Sequence, residues 1–212
     1  MAELIRGLDP DRVRENLAAV RAEIGDDAVE IVAAAKYVAI EELGVLVEAG
    51  VGVVGENRAQ DLVAKAAAPS GDRLVWDFIG QLQSRKVKQV LPHVRLIHSV
   101  ATASVLEQLA RHAQPGTEVL VEVNVAREEG KGGVLPEALD AFIAACPVTV
   151  VGLMTMPPYV ERAEDSRRHF AALAQLAADR GLPQLSMGTT QDFAVAAQEG
   201  ATIVRVGTRL FG

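Results

Sequence analysis

The sequence predicts an α/β fold, a single (β/α)8 barrel of the TIM type with an extra N-terminal helix. Two observations predict it: short apolar runs alternate with longer helical patterns, and eight such runs can be counted. The chain has 212 residues, and we expect residues 1–212 to form one barrel domain. Half of the residues are apolar, which suits parallel strands buried on both faces.

The element boundaries follow from this alternation. The predicted strands are Ile31–Ala35, Val51–Val54, Val75–Ile79, Arg95–His98, Glu118–Asn124, Val148–Gly152, Gln184–Met187 and Thr202–Val206. The predicted helices are Pro10–Ile24, Ile40–Ala49, Asn57–Ala68, Ser84–Leu91, Thr102–Ala113, Pro136–Ala145, Glu161–Arg180 and Thr190–Gln198. Asp9 before Pro10 is typical of a helix start, because it can cap the helix while proline takes the first position. Strands joined by helices of this length favour right-handed crossovers and a closed barrel, with an open doubly wound sheet as the alternative.

Composition excludes several classes of protein. The formal net charge of -7 disfavours a nucleic-acid partner. Cys146 is the only cysteine, so no intrachain disulfide is expected, and the four histidines show no metal-ligand spacing. No apolar run reaches the length of a membrane span, and we expect a cytoplasmic protein that contacts no membrane.

The segment Gly50–Gly55 fits the spacing G-x-G-x-x-G of dinucleotide sites. Such a site needs the glycine turn after a strand and before a helix. Here the first glycine ends a predicted helix and the following residues form the strand. We therefore interpret the segment as a helix cap followed by a strand.

Lys36 directly follows the first predicted strand. Barrel enzymes place their active sites at this end of the strands. A partly desolvated amine there would be the nucleophile that a carbonyl cofactor needs. An ordinary lysine at a strand end is the competing interpretation.

The last two strands end in residues suited to phosphate binding. After the seventh strand, Gly188 allows close backbone approach and Thr189 with Asp192 resembles a capping box. After the eighth strand, Gly207 and Thr208 offer further N–H groups and a hydroxyl. Phosphate sites in such barrels often use the loops after strands seven and eight. Because the first and eighth strands are neighbours in a closed barrel, we expect Lys36 to stand beside this phosphate site.

Arg205 lies on the eighth strand, just before the predicted phosphate site. It could reach the pyridine nitrogen of a cofactor, where an arginine can only donate a hydrogen bond. A donor at that nitrogen weakens the ring as an electron sink. Such a site would bind the cofactor but stabilise carbanions poorly.

Several blocks together closely resemble the pyridoxal 5′-phosphate homeostasis protein family, small relatives of the N-terminal barrel of alanine racemase. The resemblance runs from about Ile31 to the C-terminus. It is carried by Ala34-Ala35-Lys36, Gly55-Glu56-Asn57, Phe78-Ile79-Gly80, Leu82-Gln83-Ser84, His98-Ser99-Val100, Val123-Asn124, Gly152-Leu153-Met154, Leu185-Ser186-Met187-Gly188, Arg205-Val206-Gly207-Thr208 and Leu210-Phe211-Gly212.

The resemblance implies a role for each matching residue. Lys36 would form the internal aldimine with pyridoxal 5′-phosphate, Asn57 would line the pocket, and Arg205 would face the pyridine nitrogen. The phosphate would be held by Ser186 in its block with Met187 and Gly188, and by Thr190, Gly207 and Thr208. The chain departs from the family at Gln81, where histidine is common, and at Thr190, where serine is usual and the hydroxyl is kept.

The resemblance also implies a protein that stores, carries or buffers the cofactor in vitamin B6 and amino-acid homeostasis, without catalytic turnover. Apo-enzymes that use the cofactor would be its partners, and we expect a monomer. An amino-acid racemase is the alternative, but it needs an acid–base residue opposite the lysine. The only tyrosines are Tyr37, adjacent to Lys36, and Tyr159, in a loop. A barrel enzyme that binds phosphometabolites without pyridoxal is the third candidate.

Overall fold

Eight strands form the wall of the barrel in a computed structural model that describes residues 4–212. They are β1 (Glu30–Ala34), β2 (Val53–Glu56), β3 (Val75–Phe78), β4 (Leu96–Val100), β5 (Glu118–Glu122), β6 (Thr149–Met154), β7 (Gln184–Thr189) and β8 (Ile203–Val206). Every strand is parallel to its neighbours, and β8 pairs with β1. The predicted closed barrel is confirmed, and the open sheet is excluded.

Helices surround this wall. They are α1 (Pro10–Ile24), α2 (Leu43–Glu48), α3 (Ala59–Ala66), α4 (Val87–Val90), α5 (Ala103–His112), α6 (Leu139–Ala144), α7 (Arg167–Ala178), α8 (Phe193–Gln198) and α9 (Thr208–Phe211). The predicted start of α1 is confirmed, because the Asp9 side chain accepts hydrogen bonds from the amides of Asp11 and Arg12. Among residues 4–212, every helix is too short or too polar to cross a lipid bilayer.

Seven of the eight predicted helices become α-helical one to six residues later than the sequence suggests, and two of these late starts are linked by one contact. The predicted helix Glu161–Arg180 starts with a 3-10 turn at Ala163–Ser166 before α7, and the predicted helix Thr190–Gln198 forms only from Phe193. The cause is a contact between distant residues. The Ser166 hydroxyl donates to the Asp192 carboxylate over 2.9 Å, and the same carboxylate accepts from the Thr189 amide. These bonds fold Thr189–Asp192 into a separate turn.

The core has two layers, because successive strand residues face opposite sides of the wall. Inside the barrel lies an apolar cluster made by Val32, Leu96, Leu120, Met154 and Ile203. The larger layer fills the space between strands and helices. The segment Gly50–Gly55 is a helix end followed by β2, as predicted, with Gly50 at φ 86°.

Candidate functional site

A cavity of about 610 Å³ lies at the carboxyl ends of the strands. This volume is in the range of small-molecule sites. Six of the nine sequence-predicted residues line it: Lys36, Asn57, Thr190, Arg205, Gly207 and Thr208. The remaining three, Ser186, Met187 and Gly188, do not line it.

Lys36 stands in a turn two residues after β1 and is exposed. The sequence suggested partial desolvation, but β1 ends at Ala34 and Lys36, although it lines the cavity, is exposed. Its Nζ lies 4.7 Å from the centroid of the Tyr37 ring, and no acceptor within residues 4–212 holds it. The amine is therefore free to move into the cavity.

The backbone beneath Lys36 is held by a buried ion pair. Lys65 Nζ lies 2.6 Å from Glu56 Oε2 and donates to the Ala35 carbonyl over 2.7 Å. Glu56 Oε1 in turn accepts from the amide of Asn57 over 2.7 Å. Buried charges are stable when they are paired and hydrogen-bonded, as these are. The pair thus ties the ends of β1 and β2 together.

The loops after β7 and β8 meet at one edge of the cavity. The Gly207 amide donates to Thr190 Oγ1 over 3.1 Å, which joins the two loops. The amides of Thr190, Gln191 and Thr208 have no hydrogen-bond acceptor within residues 4–212. Unpaired N–H groups beside hydroxyls are the chemistry that suits an anion such as phosphate. The Thr190 and Gln191 amides belong to the loop, because α8 begins only at Phe193, whereas Thr208 is the first residue of the short helix α9.

These loops lie beside β1, the strand that precedes Lys36. β1 and β8 pair with Ala33 opposite Val206. A Cβ added at Gly207 would stand 3.5 Å from both the Cβ and the carbonyl oxygen of Ala34. Closure of the barrel thus brings these loops beside the turn that carries Lys36, and both border the cavity.

Asn57 borders the cavity from the end of β2. Its Oδ1 is buried and has no hydrogen-bond partner within residues 4–212. An unpaired buried acceptor is costly unless a ligand or water completes it. Asn57 thus offers a polar contact for a ligand that carries a hydrogen-bond donor.

Arg205 closes the floor of the cavity and is only 4% exposed. One terminal nitrogen donates to Ser186, and the other donates to the Thr155 carbonyl over 2.9 Å and to the Met156 sulfur. Burial lowers the pKa of the Arg205 guanidinium to about 10, against the opposing charges of Glu122 and Asp192. The guanidinium therefore stays protonated at neutral pH.

The three residues Ser186–Gly188 contact the barrel interior and the outer core rather than the cavity. Ser186 Oγ bonds to His98 and Arg205 within the barrel. Met187 is fully buried and packs in the outer core. A Cβ added at Gly188 would lie 2.5 Å from the Cβ of Ala196, so the glycine permits close packing of α8. The strand alternation that the sequence already shows is the signal that could have separated these three residues from the loop.

Glu122 lines the cavity and was missed by the sequence reasoning. Burial raises the pKa of the Glu122 carboxyl, and the charges of Arg205 and Lys131 oppose this effect. Glu122 lies two residues after Leu120, which belongs to the inner cluster, so the alternation places its side chain on the inner face. Gln81 also lines the cavity.

Comparison with known proteins identifies the family. A family model described as "Alanine racemase, N-terminal domain" matches residues 8–212. A "Pyridoxal phosphate homeostasis protein" of Aquifex aeolicus is 42% identical over 216 positions, covering 95% of each chain. The chain belongs to the pyridoxal phosphate homeostasis protein family. A further member from Pseudomonas aeruginosa is 35% identical over 94% of this chain and 95% of its own.

Solved structures support the same grouping. PipY of Synechococcus elongatus, solved with PLP bound, superposes with a TM-score of 0.81 at 30% identity, covering 94% of this chain and 100% of PipY. Alanine racemase of Corynebacterium glutamicum shares the fold alone, with a TM-score of 0.76 at 15% identity over 100% of this chain and 64% of the racemase. These comparisons confirm the family resemblance that the sequence blocks indicated for this protein.

Proposed function

We propose that this chain binds pyridoxal 5′-phosphate through a Schiff base on Lys36 and stores or carries it for vitamin B6 and amino-acid homeostasis, without catalytic turnover. The observation that carries the proposal is the shared cavity. A free amine, an anion site and a buried cation border the same space, which suits a phosphorylated aromatic aldehyde. Residues 1–212 would act as one cofactor-binding barrel.

The donor set of the cavity fits this cofactor. The unpaired amides and hydroxyls around Thr190, Gly207 and Thr208 would hold the phosphate. Arg205 would donate to the ring nitrogen, and the orphaned Oδ1 of Asn57 would accept a hydrogen bond. When bound, the cofactor would supply an aldehyde, and Lys36 would provide the amine for condensation with loss of water. The names of the relatives and the PLP-bound PipY structure support the same ligand.

The absence of turnover is part of the proposal and rests on the side chains around the cavity. A racemase needs two proton carriers on opposite faces of the cofactor. Tyr37 stacks beside Lys36 on its own side, and Tyr159 is 82% exposed in its loop. Arg205, fixed as a hydrogen-bond donor, also favours an unprotonated ring, which stabilises carbanions poorly.

One observation favours the racemase-like alternative: Glu122 lines the cavity with a raised pKa, as an acid–base residue would. Racemisation of several amino acids by the loaded protein separates the two functions. We expect no sustained turnover. Turnover that disappears in Glu122→Gln but not in Lys88→Ala would establish the enzyme instead.

An absorption spectrum tests cofactor binding. After incubation with pyridoxal 5′-phosphate and removal of the excess, we expect a Schiff-base band that borohydride bleaches. Lys36→Ala should lack the band, while Lys88→Ala, which removes an exposed lysine on α4, should keep it. A colourless wild-type protein would reject the proposal.

The partners are a separate part of the proposal. We infer that apo-enzymes requiring the cofactor receive it from this chain, which acts as a monomer. Transfer can be measured as activity regained by an apo-enzyme mixed with the loaded protein, after dialysis has removed free cofactor from the loaded protein. Light scattering that gives the mass of one chain would support the monomer.

A further inference from the structure

A chain of hydrogen bonds crosses the barrel interior and ends on Arg205. Asp77 lies on β3, His98 on β4, Ser186 on β7 and Arg205 on β8, and all four side chains are buried. His98 Nε2 lies 3.1 Å from Asp77 Oδ2, and His98 Nδ1 lies 2.9 Å from Ser186 Oγ. The Arg205 Nη1 group completes the chain by donating to Ser186 Oγ.

In this hydrogen-bond network, one arrangement of donors and acceptors gives every one of the four side chains a partner. An arginine only donates, so Ser186 Oγ accepts from Arg205 and its own hydrogen is free for His98 Nδ1. His98 Nδ1 is then an acceptor, and Nε2 carries the proton toward the Asp77 carboxylate. Burial lowers the pKa of the His98 ring, which agrees with a neutral imidazole.

Asp77 lies at the end of the hydrogen-bond network opposite to Arg205. Its carboxylate accepts from Arg95 at both oxygens, over 3.1 and 2.7 Å. Arg95 also pairs with Glu30 at the start of β1. The charge of Asp77 is thus balanced from the opposite side, and its oxygen remains available as an acceptor for His98.

The same bonds leave one donor of Arg205 unused. Nη1 donates to the Ser186 carbonyl and hydroxyl, and Nη2 to the Thr155 carbonyl and Met156 sulfur. Among residues 4–212, no acceptor meets the Nε–H group, and the Arg205 side chain lines the cavity.

On the basis of the proposed function, we propose that Ser186 is a positioning residue for Arg205 rather than a ligand of the phosphate. Ser186 locks Nη1, His98 orients the Ser186 hydroxyl, and Asp77 fixes the tautomer of His98. Arg205 is thereby held with its Nε–H toward the ring nitrogen of the bound cofactor. Recognition of the ring then depends on three residues that do not line the cavity: Ser186, His98 and Asp77.

The first test needs no cofactor. We expect nitrogen NMR of labelled histidine to show His98 neutral, with the proton on Nε2, between about pH 6 and pH 8. His98→Gln assigns the signal by its loss. Ser186→Ala should move the Nδ1 resonance, and Thr202→Val, which removes a hydroxyl bonded to the Leu185 amide at the far end of β7, should not. A proton on Nδ1 in the wild-type protein overturns the proposal.

The second test separates positioning from phosphate binding by comparing pyridoxal 5′-phosphate with pyridoxal, which lacks the phosphate. Ser186→Ala should weaken both ligands by the same factor, roughly tenfold, as expected for one hydrogen bond to a charged group. Thr190→Ala should weaken only the phosphorylated ligand. A Ser186→Ala variant that affects only the phosphorylated ligand overturns the proposal.

The two proposals fail in different ways. A wild-type protein that takes up no cofactor overturns both the cofactor-binding function and the role of Ser186 in ring recognition. A protein that takes up the cofactor but has the other His98 tautomer, or a phosphate-specific loss in Ser186→Ala, overturns only the positioning role.

Discussion

Two cations face the cavity from neighbouring strands, and their surroundings differ. Lys36 is exposed and its Nζ lies 4.7 Å from the centroid of the Tyr37 ring, whereas Arg205 is 4% exposed and donates to three residues. In the proposed function, Lys36 would form and release a covalent bond, which needs freedom, while Arg205 would recognise a ring, which needs a fixed direction. The surroundings of the two side chains match these two requirements, because Lys36 is exposed and the buried Arg205 is held by hydrogen bonds.

The contrast concerns side chains and not backbones. Beneath Lys36, the buried Lys65–Glu56 pair fixes the ends of β1 and β2. Beneath Arg205, the hydrogen-bond chain through Ser186 and His98 fixes the guanidinium itself. A free side chain on a rigid backbone should be sensitive to changes in that backbone, which the following predictions test.

The largest effect is expected at Lys65, and it tests whether the ion pair with Glu56 holds the backbone beneath Lys36. Lys65→Met leaves the Glu56 carboxylate buried without a partner, which should lower the free energy of unfolding by about 3–5 kcal/mol. Urea unfolding measures this loss, with the exposed Lys88→Met as the matched control. A loss below about 1 kcal/mol would mean that the pair does not hold the backbone beneath Lys36.

A smaller effect is expected from two glycines that line the same cavity. A Cβ at Gly80 would lie 2.2 Å from the Asn57 carbonyl oxygen, whereas a Cβ at Gly207 finds ordinary contacts at 3.5 Å. Gly80→Ala should lower the free energy of unfolding by about 1–3 kcal/mol, as overpacking does. Thermal unfolding should show no comparable loss in Gly207→Ala. Equal losses in both variants would contradict the close packing of Gly80 on Asn57.

The smallest effect is expected at His98, in the network that holds Arg205, as a dependence of the free energy of unfolding on pH. Burial lowers the pKa of His98 in the folded protein. Between the folded and the unfolded pKa, the unfolded protein therefore binds a proton at His98 that the folded protein does not bind. Stability should therefore fall as the pH drops below the unfolded pKa of about 6.5, by up to about 1.4 kcal/mol per pH unit until the folded pKa is reached. Urea unfolding at several pH values should show this slope in the wild type and a clearly shallower slope in His98→Gln, where the contribution of the partly buried His169, whose pKa burial also lowers, remains. An unchanged slope would mean that His98 is not a buried neutral ring.

The sequence predicted the barrel and much of the cavity because both depend on local patterns. Strand and helix alternation favoured the closed wall over an open sheet, the end of β8 supplied Gly207 and Thr208, and the family resemblance supplied Thr190. The Lys65–Glu56 pair was not predicted, because it depends on which residues the folded chain brings together. Ser186 was grouped with the phosphate loop by its sequence neighbours, whereas strand alternation turns its side chain into the barrel.

The most direct measurement of the central claim is the site of covalent attachment. The protein loaded with pyridoxal 5′-phosphate is reduced with borohydride, digested and analysed by mass spectrometry. We predict the reduced cofactor on the peptide that contains Lys36, and none on peptides containing Lys65, Lys88 or Lys131. Attachment at another lysine, with Lys36 unmodified, would contradict the account.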